Sequence, residues 1–214
     1  MATVKRGRGR PKKLEAPDQL LSVGRELLLT YGLRITVDAI VMQAKVAKTT
    51  FYTYFADKEA FIEAVLRRES DRTISDAQFS AAQRADLRST LVEFGTRYLC
   101  FANEHQLLGW DKLIASANDL YPEFAQRLFD AGPGRGYTLL TFILRRAQRD
   151  GQLQMDDAAA AAEDLVALWY GTKILRVNLR VCAPMDQEEI AARARRGVEL
   201  FLQLYATGAG SVPG

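Results

Sequence analysis

Apolar positions recur along this 214-residue chain every three to four residues and almost nowhere every two. That period puts one stripe of each segment against a core, so it predicts a protein built of helices, with no internal repeat. The first helix runs from about Asp18 to Tyr31, with Leu20, Val23, Leu27 and Leu28 on its inner face and Gly32 placed to end it in a left-handed cap. A second begins at Thr36, whose hydroxyl suits an N-cap, and turns Val37, Ile40, Val41 and Ala44 inward. After a turn at Lys45 and Val46 comes a short helix over 47–55, and Asp57 then caps a long fourth helix over 58–81. Further helices are expected over 85–104, 106–118, 122–131, 136–150, 157–180 and 187–206. Gly132-Pro133-Gly134-Arg135-Gly136 reads as the clearest break, and Pro184 before Asp186 and Glu189, at capping-box spacing, as a second.

Short helix, tight turn and short helix on a three-helix core is a helix-turn-helix pattern, spanning about 36–55. In its second helix Val46, Phe51 and Phe55 are expected to pack inward, while Lys48, Thr49, Thr50, Tyr52, Thr53 and Tyr54 largely face out. Hydroxyls bond phosphate oxygens, a lysine reaches a guanine or a phosphate, and a threonine methyl can touch a thymine methyl. An aromatic-rich short helix of this kind is a DNA-reading surface pinned by two buried rings; ordinary packing between helices is the plainer alternative.

At these residues the chain resembles the DNA-binding domain of TetR/AcrR-type transcriptional regulators. The resemblance covers about 16–66 and rests on Gly32, on Thr36-Val37-Asp38-Ala39-Ile40, and on the run from Val46 to Glu59 that includes Thr50, Tyr52, Tyr54, Phe55 and Lys58. It implies that Thr50, Tyr52, Tyr54 and Lys58 contact phosphates and that Lys48, Thr49 and Thr53 read bases. Thr36, and Arg8 and Arg10 of the preceding arm, complete the expected DNA-contacting set. The chain departs from the family pattern in three places: the Gly32–Ile40 segment is one residue short, Ala47 stands for the usual Ser, and Lys45 stands where the turn normally has Gly. The implied architecture is all-α, a basic arm (1–15), a three-helix DNA-binding domain (16–66), a helical ligand-binding and dimerisation bundle (67–206) and a tail (207–214).

In the C-terminal half, Leu87, Leu91, Phe94, Tyr98 and Phe101 fall on one face of one helix. With Trp110, Phe142, Trp169 and Tyr170 they either line an apolar cavity between helices or form plain core. Phe94, Tyr98, Phe101, Trp110, Phe142 and Trp169 are the expected ligand-contacting set. The last two helices are apolar around most of their circumference, more than one subunit's core needs, so Leu168, Leu175, Ile190, Val198, Phe201, Leu202 and Tyr205 are expected at a homodimer interface.

Charge sharpens this picture. Residues 1–13 carry Lys5, Arg6, Arg8, Arg10, Lys12 and Lys13 without an acid, so the net +3 leaves 23 basic against 26 acidic residues in the remainder. Within the arm, Arg8-Gly9-Arg10-Pro11 resembles the core of an AT-hook, suited to a narrow A·T minor groove; a nonspecific polybasic tail is the alternative. No stretch approaches the roughly 18 apolar residues of a membrane span, and no apolar segment follows the N-terminal charges, so a soluble cytoplasmic protein is expected. Cys100 and Cys182 read as reduced core residues. The single histidine, His105, has no ligand or nucleophile at useful spacing, so no enzyme, metal site or cofactor is expected. The reading is a dimeric repressor of a palindromic operator in double-stranded DNA, released by a small apolar or amphipathic effector. The alternative is a membrane-surface or scaffolding protein anchored through the arm.

Overall fold

The computed structural model describes residues 16–73, 86–103, 108–118 and 122–207; the basic arm with Arg8 and Arg10, His105, and the tail beyond Thr207 lie outside them. Helices α1 (Ala16–Tyr31), α2 (Val37–Ala44) and α3 (Lys48–Tyr54) form a head, joined to α4 (Lys58–Thr73). Then follow α5 (Leu87–Asn103), α6 (Leu108–Asn118), α7 (Pro122–Ala131), α8 (Pro133–Arg149), α9 (Ala158–Asn178) and α10 (Gln187–Tyr205). The all-α architecture read from the sequence is the one observed. The described residues add only an isolated antiparallel bridge between Leu153 and Ala206.

Local chemistry sets the helix ends. Gly32 takes φ +61°, a conformation that costs glycine little, and begins a short 3-10 turn after α1. The Thr36 hydroxyl oxygen accepts from the Ala39 N–H at 3.2 Å, capping α2. Lys45 ends α2 in the left-handed region (φ 53°, ψ 43°), and Val46 N–H closes the turn onto the Val41 carbonyl at 3.1 Å. Asp57 caps α4 through the Ala60 N–H at 2.7 Å, and Asp186 caps α10 through the Glu189 N–H at 2.8 Å. The expected five-residue break at 132–136 shrinks to Gly132. Pro133 opens α8, where its fixed φ and missing N–H suit a first turn, and Gly134 and Gly136 are buried helical residues.

Two apolar clusters fill the interior. One joins the head to α4, α6 and α7 through Leu20, Ile40, Phe51, Phe61, Leu113 and Leu128. The other packs α5, α8, α9 and α10 around Trp169. The Trp169 ring occupies a slot between two glycines: a β-carbon on Gly95 of α5 would lie 2.5 Å from it, and one on Gly197 of α10 would lie 2.4 Å away. Its indole N–H donates to the Ala194 carbonyl at 3.3 Å. Phe94 stacks against Trp169 (centroids 6.0 Å apart) and Tyr98 (5.8 Å), so aromatic packing runs from the core outward along α5.

This packing corrects several sequence expectations. Phe94 and Trp169 are core residues, because close approach of α5 and α10 leaves no void beside their rings. Ile190, Val198 and Phe201 are fully buried in the subunit's own core, since α10 spends its apolar face on α5 and α9, and none is available to a second chain. Phe142 is exposed on the outer face of α8. Both cysteines are only half-buried.

The glycine slot predicts a non-additive double mutant. Gly95→Ala overpacks the Trp169 ring and is expected to cost about 1–3 kcal/mol; in the Trp169→Phe background the added methyl meets a smaller ring and costs much less. Additive losses in thermal or urea unfolding would contradict the slot. The Lys45 geometry predicts the opposite sign: Lys45→Gly relieves the left-handed strain and is expected to stabilise by roughly 0.5–1 kcal/mol in the same assays.

Candidate nucleic-acid interface and ligand cavity

Helix α3 is only two turns long, and Phe51 anchors it. That ring is fully buried, 5.4 Å from Phe55 and 5.2 Å from Phe61 of α4 (centroid distances). With one face pinned, Lys48, Thr49, Tyr52, Thr53 and Tyr54 are left exposed and Thr50 half-buried; Tyr52 and Tyr54 are each 51% exposed. The exposed side of α3 is thus a ridge of hydroxyls and one ammonium.

Two groups modify the expected roles. The Lys48 ammonium is bound to the Asp38 carboxylate of α2 at 2.8 Å, which raises its pKa above the ordinary lysine value. Lys48 is thereby aimed, and Asp38 adds a negative charge where phosphates would approach. Lys58 donates to the Leu33 and Ile35 carbonyls at 3.0 and 3.3 Å, so at most one of its three donors is left for a phosphate. It also holds the chain ahead of α2 in place. Thr53 donates to the Thr49 carbonyl within α3, whereas Thr36, whose oxygen accepts the cap bond, keeps its O–H to give to an anion.

A second site lies on the far side of α4. A cavity of about 460 Å³ is lined by Leu66 and Glu69 of α4, Tyr98 and Phe101 of α5, Ile114 of α6, Phe129 of α7, Tyr137 of α8, and Tyr170, Ile174 and Asn178 of α9. Of the residues expected to contact a ligand, Tyr98 and Phe101 line it. Phe94 and Trp169 stand behind Tyr98, Phe142 borders a shallower surface groove with Phe129 and Tyr137, and the Trp110 side chain lies outside the described residues. The wall on α9 depends on a kink. Gly171 takes φ +46° and ψ −153°, and Arg193 of α10 donates to the carbonyls of Trp169 (3.1 Å) and Tyr170 (3.3 Å) beside the break.

Sequence periodicity missed Glu69, Tyr137 and Phe129. Glu69 sits on a helix face that reads as polar, and its place at the cavity follows only from where α5 and α9 fall. Its carboxylate accepts from Arg25 Nε of α1 at 2.6 Å and pairs with Arg72 at 3.2 Å. The Tyr137 hydroxyl is buried with no hydrogen-bond partner among the described residues, a cost of about 1–3 kcal/mol that a polar ligand atom reaching it would offset.

Both halves of the chain match family models. Residues 20–65 match the bacterial regulatory proteins of the tetR family, and residues 89–207 match the AefR-like transcriptional repressor C-terminal domain. No curated protein sequence matches the chain. Among solved structures, the Flavonoid-responsive Regulator FrrA is similar at 25% identity, with 91% of this chain and 98% of that one covered and a TM-score of 0.69. A TetR transcriptional regulator from Agrobacterium tumefaciens shares the fold at 21% identity, covering 92% and 97% with a TM-score of 0.72. FadR from Bacillus subtilis, solved in complex with stearoyl-CoA, shares it at 18% identity, covering 91% and 99% with a TM-score of 0.65. A helix-turn-helix head matched by one model and a helical bundle matched by another, over more than half the chain, assign it to one family: it is a TetR-family transcriptional regulator.

Proposed function

We propose that this regulator is a dimeric repressor whose α3 ridge enters the major groove of a palindromic operator and whose cavity takes a small apolar or amphipathic effector. The observation that carries the reading is the position of α4. One side of it packs on the head that presents α3, and its Leu66 and Glu69 wall the cavity. An occupied cavity that shifts α4 therefore shifts the head, and in a dimer it changes the spacing of two recognition helices that must fit successive major grooves. FrrA is named for its response to flavonoids and FadR was solved with an acyl-CoA; both names support an effector with a large apolar part.

Dimerisation is assigned to the outer faces of α9 and α10. Leu175 and Leu204 are 58% and 72% exposed, with Leu168, Leu202 and Tyr205 half-buried beside them. Single apolar residues on a surface are ordinary, but this many on two adjacent helices call for a partner, here an identical chain. Leu175→Arg with Leu204→Arg is expected to give a folded monomer by sedimentation; a persistent dimer would move the interface elsewhere.

The DNA reading is tested by selection from random duplexes, which is expected to return a palindromic site. On that site Tyr52→Ala should weaken binding to all sequences alike, while Lys48→Ala should cost about 1–3 kcal/mol and relax base preference. Asp38→Asn removes a negative charge from the DNA-facing side and unties Lys48, so affinity for nonspecific DNA should rise and discrimination should fall. A selection that returns no preferred sequence, with Lys48→Ala binding unchanged, would overturn the reading.

A further inference from the structure

Two residues stand between the cavity and the surface groove beside it. Phe129 of α7 and Tyr137 of α8 line both the cavity of about 460 Å³ and the groove of about 440 Å³, so they form a shared wall. The rest of the groove lies along the same two helices and includes Asp130, Thr138, Thr141 and Arg145, a set that water wets readily. Of the described residues that line the cavity, only Phe129 and Ala115 of α6 are exposed, Phe129 at 43%; the others are buried or half-buried. The lining therefore comes to the surface at two places, and at one of them a groove adjoins it.

The shared wall is also weakly held. Phe129 makes no ring-to-ring contact among the described residues, and the Tyr137 hydroxyl has no hydrogen-bond partner among them. Tyr98, another ring of the cavity, is by contrast stacked between Phe94 at 5.8 Å and Tyr170 at 5.6 Å (centroid distances). The Phe129 ring rests on Gly134 of α8, where a β-carbon would lie 2.9 Å from it. With glycine there, no side chain of that position clamps the ring or blocks its swing. Rotamer changes of partly exposed side chains are fast, and turning a ring that is already 43% exposed sacrifices only part of its apolar burial.

Resting on the cavity being the effector site, we propose that the groove between α7 and α8 is its entrance and that Phe129 is the gate, swinging over Gly134 to let an effector pass. A barrier on the route is met by molecules entering and leaving alike. An obstacle in the groove therefore slows exchange in both directions and leaves the affinity nearly unchanged. Phe129 also lines the cavity, so its truncation loosens the bound molecule as well, and the association rate is the leg that reports the gate.

Stopped-flow mixing of the full-length protein with N-phenyl-1-naphthylamine, whose emission rises in an apolar site, gives both rates. Thr138 is exposed and lines the groove but not the cavity. Thr138→Trp is expected to slow association and dissociation alike, each at least about fivefold, with Kd within about twofold. Phe129→Ala is expected to speed association at least about fivefold, whereas a residue that only contacts the bound molecule changes dissociation and leaves association nearly unchanged. Ala115→Trp, at the other exposed part of the lining, should leave the association rate within about twofold. Unchanged association in both Thr138→Trp and Phe129→Ala, or slowing by Ala115→Trp alone, would overturn the gate while leaving the cavity as the effector site. Ala102 of α5 lines the cavity and not the groove, and Ala102→Phe should weaken the probe at least about tenfold. Probe binding that survives Ala102→Phe, or no saturable emission with the wild type, would overturn the effector site itself.

Discussion

The edge of the Phe61 ring lies 2.3 Å from where a β-carbon on Gly24 would stand, so α1 and α4 touch more closely than any other residue at that position would permit. This contact fixes the head on α4. Phe61 also meets Phe51 and Phe55, the two rings that pin α3, so the reading helix is held through the same side chain. One turn further on, Val65 and Leu66 continue the buried face, and Leu66 and Glu69 reach the cavity. A single helix thus belongs to the packing of the helix-turn-helix head and to the wall of the cavity.

Around that helix the ion pairs are arranged as ties between elements more than as sources of stability. Arg127 of α7 meets Glu59 and Glu63 on α4, Arg135 of α8 meets Asp71, and Arg25 of α1 meets Glu69, while Arg68 of α4 adds hydrogen bonds to the Asp18 carbonyl and the Ser22 hydroxyl of α1. The exposed pairs among them, such as Arg127 with Glu59, contribute little each, on the order of 0–1 kcal/mol, whereas Arg25 and Glu69 are largely shielded from solvent. The second cluster is built differently: Trp169 sits between Gly95 and Gly197 with no slack.

Much of the head is legible in the sequence because its determinants are local. Gly32, Thr36, Lys45 and Asp57 each end or begin a helix through their own backbone conformation or side chain, and Phe51 and Phe55 share a helical face that must be buried. The bundle is less legible. Periodicity tells which residues turn inward, but whether inward means core or cavity is decided by the neighbouring helix. Phe94 and Tyr98 stand on one face of α5, yet Trp169 covers the first and the cavity opens beyond the second. Gly95 and Gly197, two glycines inside helices, were the available signal for the close approach that put Trp169 in the core. The surplus of apolar residues on α10 had a similar ambiguity: α5 absorbs Val198 and Phe201, and only the outer positions such as Leu204 remain uncovered. Glu69 carried no signal at all, since a charged residue on a helix normally marks the solvent face.

The central claim is that cavity and DNA are linked through α4, and linkage is reciprocal. The direct measurement is the affinity of an apolar ligand of the cavity for the protein alone and for the protein saturated with its selected operator, alongside operator affinity with and without the ligand. A hundredfold loss of operator affinity corresponds to about 2.7 kcal/mol of coupling, and the same factor must appear in the ligand's own affinity. Equal factors well above one on both legs are the predicted result. A ligand that binds in the cavity with the same affinity whether or not operator is present would contradict the account.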